Sequence, residues 1–400
     1  MIYQAILAAS IFLLLAFGIE RLGRVSGIPS VVILIAVGLA AKPVLALFGL
    51  NLEGIDAAVP VIGTVGLVLI VLEGALDIEL RRDRLRAAAG AFLMAGGGLI
   101  VCTGLFAWAA VVALPVTPFQ ALLLAVPFAV ISSAVAIPSS SFLPPRGREF
   151  VVYESSLSDI LGVLVFFSLL SSDGTASGAF LVLVGGGVLS LLLAIVCAVG
   201  LALILMRIDG HIRFIPLLAG LFGLYAVGKL MHLSPLIMVL LFGLALNNPT
   251  LITRFRPFRG WLDDSYEATL NEFKLLTVEL TFAVRGFFFI LLGYWTDLSD
   301  LVSWRAWLAA AFVLAVIYGS RHLMLRLIRS EFALPLTWIA PRGLITVLLF
   351  LAAKEHLPLP RYFDGTVMLV VLASATLIAV GRFRWASANP APAGAKPEFT

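Results

Sequence analysis

The chain has 400 residues, of which 61% are hydrophobic and only 12% are charged, and its mean hydropathy is +1.09. In soluble globular proteins roughly a quarter of all residues are charged, so this composition excludes that class and predicts a polytopic membrane protein. The net charge of +4 is small and gives no reason to expect a nucleic-acid partner.

Apolar runs long enough to cross a bilayer, cut at proline, glycine and charge clusters, predict thirteen helices. The predicted spans are 3–19, 28–48, 59–76, 87–114, 118–141, 150–171, 180–206, 212–231, 234–247, 275–295, 304–328, 337–353 and 361–381. Basic residues follow the first span and none precedes it, the reverse of a cleavable signal peptide, so we expect this helix to be retained. We expect a transmembrane domain over 1–381 and a disordered tail over 382–400.

Lysine and arginine concentrate in loops that follow odd-numbered segments, such as 81–86 and 254–259, and in the tail. The positive-inside rule places such loops in the cytoplasm. We therefore expect a multi-pass protein of the cell (inner) membrane, with its N-terminus outside and its C-terminus in the cytoplasm. The polar stretch 247–271 is equally compatible with an interfacial helix and with a solvated loop.

A few charged residues remain inside the predicted spans: Glu73, Glu154, Asp159, Glu279, Arg285, Arg321 and Arg342. An ionised group at mid-bilayer costs at least ~2.5–3.5 kcal/mol, so such residues usually face a cavity or a partner and mark an ion or proton path. Glu154 and Asp159 lie about 140° apart on a helix, which indicates different roles. We interpret Asp159 as facing a cavity and the transported ion, and Glu154 as pairing with a structural cation. The alternative is two buried ion-pair members without a transport role.

The remaining intramembrane charges are less informative. Glu73 lies near the predicted cytoplasmic end of the third span, where it either attracts cations toward the site or lies at the lipid interface. Glu279 and Arg285 are about 240° apart on a helix, so we expect each to pack against other partners.

Two predicted spans contain proline in their interior. Segment five holds Pro127 and Pro138, with serines between and after them, and segment twelve holds Pro341 followed by Arg342. Proline removes a backbone donor and clashes with the preceding turn, so both spans are predicted to be interrupted helices with free backbone groups. They are seven spans apart and therefore cross in opposite directions, which allows segments 4–6 and 11–13 to form an inverted repeat. Two broken helices that meet at mid-membrane are typical of a transporter's binding site.

At these residues the chain resembles the monovalent cation:proton antiporter superfamily, on its sodium/proton exchanger (NhaP-like) side. The family motif Glu-Ser-Leu-Leu-Asn-Asp is similar to Glu154-Ser155-Ser156-Leu157-Ser158-Asp159, and Thr-Asp-Pro-Val-Ala-Val is similar to residues 132–137. Further similarity covers 72–76, 287–293 and 340–343. Residues 132–137 keep the end of their motif but lose its Asp and Pro. Two departures matter for the ion site, because Ser158 replaces the family's Asn and Ser133 replaces its Asp.

The resemblance implies an all-α sodium/proton antiporter fold of about 13 helices. Core helices of about 87–171 and 304–381 would move against a scaffold of about 3–76 and 180–295 that forms a homodimer. Asp159 would bind cation or proton in competition, and Glu154 would form a structural ion bridge with Arg321. Other implied site residues are the oxygen ligands Ser132, Ser133, Ser155 and Ser158, the broken-helix residues Arg342, Pro138 and Pro341, and Glu73 at an ion funnel.

We therefore expect a secondary active transporter, and no enzyme or cofactor, that exchanges Na⁺ or Li⁺, or alternatively K⁺, for H⁺. Burial disfavours an ionised Asp159, so that proton and cation can exchange at one carboxylate. A serine rather than a second acid at 158 predicts one cation per proton and no net current. The alternatives are a K⁺/H⁺ antiporter on the same fold, a diverged ion channel, an anion transporter and a membrane-embedded enzyme. A permanent channel has no need of a titratable acid between paired broken helices.

Overall fold

The structure, a computed structural model, describes residues 2–26, 28–47, 55–77, 85–172, 178, 192–193, 195–197, 200, 214–231, 235–249, 265–328 and 333–388. Over these residues the chain is helical and contains no strand, which confirms the predicted all-α class. The helices are α1 Ile2–Ser26, α2 Ser30–Leu47, α3 Ile55–Leu76, α4 Leu85–Ala113, α5 Pro118–Ala129, α6 Ser133–Ser139, α7 Pro145–Leu170, α8 Phe214–Leu230, α9 Pro235–Asn247, α10 Ser265–Trp295, α11 Leu298–Val302, α12 Trp304–Leu327, α13 Ala333–Thr337, α14 Leu344–Lys354 and α15 Tyr362–Ala388. The predicted seventh span, 180–206, lies almost entirely outside the described residues.

The helices pack in two groups. In the first group α2 and α3 pack along α10, α9 packs on α3 and α8, and α1 packs on α2. In the second group α4 packs against α5, α7 and α12, while α15 packs against α12 and α13. Contacts between the groups involve α3 and α9 with α7, and α10 with α14. The site described below lies in the second group, and two helices of the first group approach it.

Glycine brings α2 and α10 into close contact. A Cβ at Gly38 would overlap the Ile290 carbonyl, and a Cβ at Gly293 would overlap the Ile35 carbonyl. Small residues at such positions let two membrane helices approach through their backbones, where van der Waals packing replaces the hydrophobic effect as the driving force. This contact fixes α10 against α2 within the first group.

Burial along the helices indicates which of them face lipid. Six helical spans are long and apolar enough to cross a membrane over the described residues, and they include the pair α5–α6 taken together, Pro118–Ser139. In that span 83% of the most apolar window is buried, whereas only 33% is buried in α4 and 28% in α12. Exposed apolar side chains on α4, such as Ile100 and Val112, form an outer surface suited to hydrocarbon. The broken pair α5–α6 is therefore central in a multi-pass membrane protein.

Local sequence sets the limits of the first broken helix. Thr117 and Gln120 form a capping box at the start of α5, in which Thr117 Oγ1 accepts from Gln120 N at 3.2 Å. Pro118 follows at the first helical position, where its missing N–H has no cost. Val130 and Ser132 then adopt extended backbone, which separates α5 from α6.

The second broken helix is divided in the same way. Helix α13 ends at Thr337 and α14 begins at Leu344, so residues 338–343, which contain Pro341, form the break. Both interruptions predicted from proline are thus present. Helix α13 also begins at Ala333, before the predicted start of this span at 337.

Several predicted limits are wrong. Helix α1 continues to Ser26 rather than ending at 19. Helix α10 begins at Ser265 rather than 275, so the end of the polar stretch 247–271 is helical, while residues 250–264 lie outside the described residues. Helix α15 continues to Ala388 rather than ending at 381. Its last turns have a tertiary partner, because the guanidinium of Arg384 stacks over the Trp338 ring, 5.3 Å from its centroid. The rest of the predicted disordered tail, 389–400, is not described.

Candidate ion site at the helix crossing

The two breaks meet in direct backbone contact. Ser132 N donates to Pro341 O at 2.9 Å, so each break supplies one partner to the other. A Cβ at Gly343 would lie 2.5 Å from Ser132 Oγ, which leaves glycine as the residue that lets the chains approach this closely. Two segments about two hundred residues apart thereby share one crossing point, in the arrangement that the proline pattern predicts.

Asp159 lies at this crossing and is only 6% exposed. Its Oδ2 accepts from the backbone N–H of Ser133, the first residue of α6, at 3.0 Å. Its Oδ1 is buried and has no hydrogen-bond partner within the described part of the chain. A buried carboxylate oxygen without a donor is costly to leave unmatched, so this atom is positioned to take a proton or a cation.

The serines near Asp159 differ in whether their hydroxyl groups make hydrogen bonds. Ser132 Oγ is buried and makes no hydrogen bond in the described structure. Ser158 Oγ instead accepts from Ile131 N at 2.9 Å and so holds the first break, while Ser155 Oγ donates to Val151 O of its own helix at 2.7 Å. The structure therefore brings Ser132, Ser133 and Ser158 together around the crossing, and it uses Ser155 within α7.

Arg342 lies in the break of the second broken helix, and its side chain stabilises the break of the first. A helix end leaves its last carbonyls without intrahelical donors, and here α5 ends inside the protein. Arg342 Nε donates to Phe128 O at 2.7 Å, and its Nη2 lies 3.4 Å from Ala129 O. The side chain is 2% exposed, and its own backbone N–H donates to Ser374 Oγ at 2.9 Å. The fork of donors on arginine suits several carbonyls at once, so Arg342 acts as a cap for α5.

Glu154 makes a separate ion pair on the other side of α7. Arg321 Nη1 and Nη2 donate to its Oε1 and Oε2 at 2.5 and 2.7 Å, a bidentate geometry, and the two side chains are 2% and 5% exposed. Arg321 Nε also donates to Leu336 O of α13 at 2.7 Å. The pair thus connects α7, α12 and the first half of the second broken helix. Its partners satisfy each other, which removes both charges from competition for the ion.

Glu73 approaches the site from α3 without joining the crossing. It is partly buried on α3, a helix that packs against α7. Arg285, on α10, donates from Nη1 to Ala134 O in the first turn of α6 at 3.2 Å. The sequence analysis named no partner for Arg285. A signal for this one was present, because Pro138 has no N–H to donate to Ala134 O, which therefore needs a donor from outside α6.

A small cavity of about 20 Å³ reaches the crossing from the side of α4 and α12. The polar residues in its lining are Cys102, Ser158, Ser320, Arg321 and Arg342. The sequence predicts that Asp159 faces a cavity; the lining of this cavity includes its helix neighbour Ser158 and not Asp159 itself. Two further polar residues near the crossing were not singled out from the sequence: Ser374, whose Oγ accepts from Arg342 N, and Ser156, whose buried Oγ has no partner in the described structure.

The comparisons with known proteins agree with this geometry. The family model for the sodium/hydrogen exchanger transmembrane region matches residues 6–386. A structure of the sodium proton antiporter MjNhaP1 from Methanocaldococcus jannaschii at pH 8 superimposes with a TM-score of 0.73 at 20% identity, covering 95% of this chain and 97% of that chain. An electron-microscopy structure of the same antiporter gives 0.72 at 20% identity, with 97% of each chain covered. No curated protein sequence matches this chain significantly.

Proposed function

Because this chain belongs to the sodium/hydrogen exchanger family, we propose that it exchanges a monovalent cation for H⁺ across the membrane by alternating access. The observation that carries this proposal is the buried carboxylate of Asp159, which has one oxygen bonded to Ser133 N and one without a donor. Such a group is unfavourable as an isolated anion, so it takes either a proton or a cation and exchanges one for the other. Family and fold are those of a transporter and not of an enzyme.

The ligands around Asp159 suit a small hard cation. Carboxylate, hydroxyl and carbonyl oxygens are what such ions prefer, and broken helices supply the free backbone groups. We expect Ser132 and Ser133 to contribute hydroxyl oxygens. Ser158 and Ser155 already make hydrogen bonds, and we expect them to hold the break and α7 in place.

The charge balance supports an exchange of one cation for one proton. Glu154 is neutralised by Arg321, so Asp159 is the exchangeable carboxylate at the crossing. A carrier that crosses only when Asp159 is occupied moves the same charge in both directions. We therefore expect transport to be electroneutral, and the donors of Arg342 are committed to carbonyls rather than to a transported anion.

The test uses the full chain in proteoliposomes with an imposed pH gradient. We expect Na⁺, Li⁺ or K⁺ to collapse the gradient, and the ion that does so identifies the substrate. Asp159→Asn should abolish this collapse, whereas Glu267→Gln, which changes an exposed carboxylate at the start of α10, should leave it unchanged. A folded protein without cation-induced collapse, or an active Asp159→Asn variant, would contradict the proposal.

Electroneutrality is measured separately. We expect the rate of gradient collapse to be the same under imposed membrane potentials of either sign. A cation-dependent current in a planar-membrane recording would refute the single-carboxylate argument, while antiport as such would stand.

Orientation and assembly form part of the same proposal. We propose that the N-terminus faces outside, the C-terminus faces the cytoplasm of the cell (inner) membrane, and two copies associate as a homodimer. A C-terminal reporter active only in the cytoplasm tests the orientation. A mass measurement in detergent that gives one protein copy per particle would exclude a stable dimer.

A further inference from the structure

One face of α12 holds the end of α13. Tyr318, Arg321 and His322 are spaced i, i+3 and i+4 along α12, so their side chains lie on the same side of the helix. Arg321 Nε donates to Leu336 O at 2.7 Å, and the ring centroids of Tyr318 and Trp338 lie 5.9 Å apart. His322 contacts the residue between these two partners. Consecutive residues at the end of α13 are therefore each contacted by a different side chain of α12.

The contact of His322 is a hydrogen bond whose direction follows from its surroundings. His322 Nδ1 lies 3.2 Å from Thr337 Oγ1, and Thr337 Oγ1 donates to Ala333 O at 2.7 Å. A threonine hydroxyl has one proton, so with that proton on Ala333 O the oxygen accepts and the histidine nitrogen donates. Thr337 is buried and His322 is half-buried. His322 is thus a fixed donor to the last residue of α13.

Thr337 is connected to the ion site through the backbone of the second break. The break, 338–343, begins directly after Thr337. Within it Pro341 O accepts from Ser132 N at 2.9 Å, and the N–H of the next residue, Ser133, donates to Asp159 Oδ2 at 3.0 Å. A displacement of Thr337 would therefore move the segment that holds the backbone beside Asp159.

We propose that His322 is a positioning residue for the ion site, because its N–H fixes where the second break begins. This inference rests on the proposed function. Without the bond to Thr337, the end of α13 adopts further positions, and only some of them keep the crossing in the form that binds the cation. Apparent affinity then falls in proportion to the fraction of molecules in that form. Arg321 and Tyr318 still hold the residues on either side, so the helix stays folded.

The first experiment measures the initial rate of gradient collapse against cation concentration, with the full chain in proteoliposomes. His322→Ala removes the donor and should raise the apparent KM by about two- to tenfold, the range that corresponds to one neutral hydrogen bond. The maximal rate should change less than the KM, because saturating cation selects the binding form. His322→Asn keeps an N–H donor near the position of Nδ1 and should return the KM toward the native value.

The matched control is another histidine. His356 is exposed, and its Nδ1 lies 3.0 Å from Ala352 O in the adjoining turn, away from the break. His356→Ala should leave the KM unchanged. A KM in His322→Asn as high as in His322→Ala would overturn the proposal. So would a lower unfolding midpoint with an unchanged KM in His322→Ala, because His322 would then support only the fold.

The second experiment changes the acceptor. Thr337→Val removes the hydroxyl and should raise the KM as His322→Ala does, whereas Thr337→Ser keeps the hydroxyl and should retain the native KM. In the double variant His322→Ala/Thr337→Val the KM should not exceed that of the worse single variant, because both changes remove the same bond. An unchanged KM in Thr337→Val, or multiplied effects in the double variant, refutes the role. Thr337→Val carries the test if His322→Ala does not fold.

Failure of this inference is distinguishable from failure of the proposed function. If the native protein shows no antiport that depends on Asp159, the proposed function fails, and with it the positioning role of His322. If antiport is present and Asp159→Asn abolishes it, an unchanged KM in His322→Ala refutes the His322 role alone. The unfolding midpoints of the His322 and Thr337 variants are measured without transport. We expect their double variant to lose less than the two single losses added together, and additive losses would show that the two side chains do not interact.

Discussion

The ion pair between Glu154 and Arg321 provides the most direct test of how the core is held together. Glu154→Gln would leave the guanidinium of Arg321 buried without its counter-charge, with one neutral amide oxygen and Leu336 O as its acceptors. The variant weakens two charge-assisted hydrogen bonds, at 2.5 and 2.7 Å, each worth about 1.5–3 kcal/mol. Their sum agrees with the roughly 3–5 kcal/mol lost when one partner of a buried pair is removed. We expect a decrease of that size in the free energy of unfolding.

The assay is equilibrium unfolding in detergent, followed by tryptophan fluorescence. The matched control is the double variant Glu154→Leu/Arg321→Leu, which removes both charges and leaves neither unpaired. We expect it to be more stable than the sum of its two single variants predicts, which is the signature of a coupled pair. A loss of less than about 1 kcal/mol in Glu154→Gln, or additive single and double variants, would refute the assignment of this pair as a major support of the core.

Three further predictions concern the crossing. Gly343→Ala should lower the free energy of unfolding by about 1–3 kcal/mol, since its Cβ would meet Ser132 Oγ; an unchanged unfolding curve would show that the breaks can separate. Arg342→Lys should lower the free energy of unfolding by about 2 kcal/mol or more, because one ammonium group cannot satisfy the carbonyls of α5 and of Ala340 together. An unfolding free energy equal to that of the native protein would contradict the capping role of Arg342. Ser374→Ala should destabilise by about 1–3 kcal/mol by leaving Arg342 N unpaired, and crystallographic evidence of a replacement acceptor would explain a smaller effect.

Much of this architecture follows from local features of the sequence. Hydropathy alone predicts a polytopic membrane protein, because the bilayer admits few charges and requires internally bonded backbone. Pro127, Pro138 and Pro341 predict the two interruptions, since the loss of a backbone donor depends on covalent structure. The angle between Glu154 and Asp159 follows from helix geometry, and the structure shows them with different partners, Arg321 and Ser133.

Other predictions from sequence were incomplete because they depend on neighbours far along the chain. The serine pattern did not show that Ser158 accepts from Ile131 N, a bond that depends on where α7 packs against the break. Residues 382–388 look polar enough to leave the helix, and the contact of Arg384 with Trp338 accompanies their helical structure. The periodicity of the sequence could not predict either contact.

The sequence by itself determined the class of protein and the positions of the broken helices, because these depend on composition and on proline chemistry. It also predicted Asp159 as the exchangeable carboxylate, from its place inside an apolar helix. Only the tertiary structure decided which donors serve the free carbonyls. Arg342 reaches Phe128 O across 214 positions of sequence, and Arg285 reaches Ala134 O across 151. A backbone group released by a break must find a partner wherever packing brings one, and that choice is made in three dimensions.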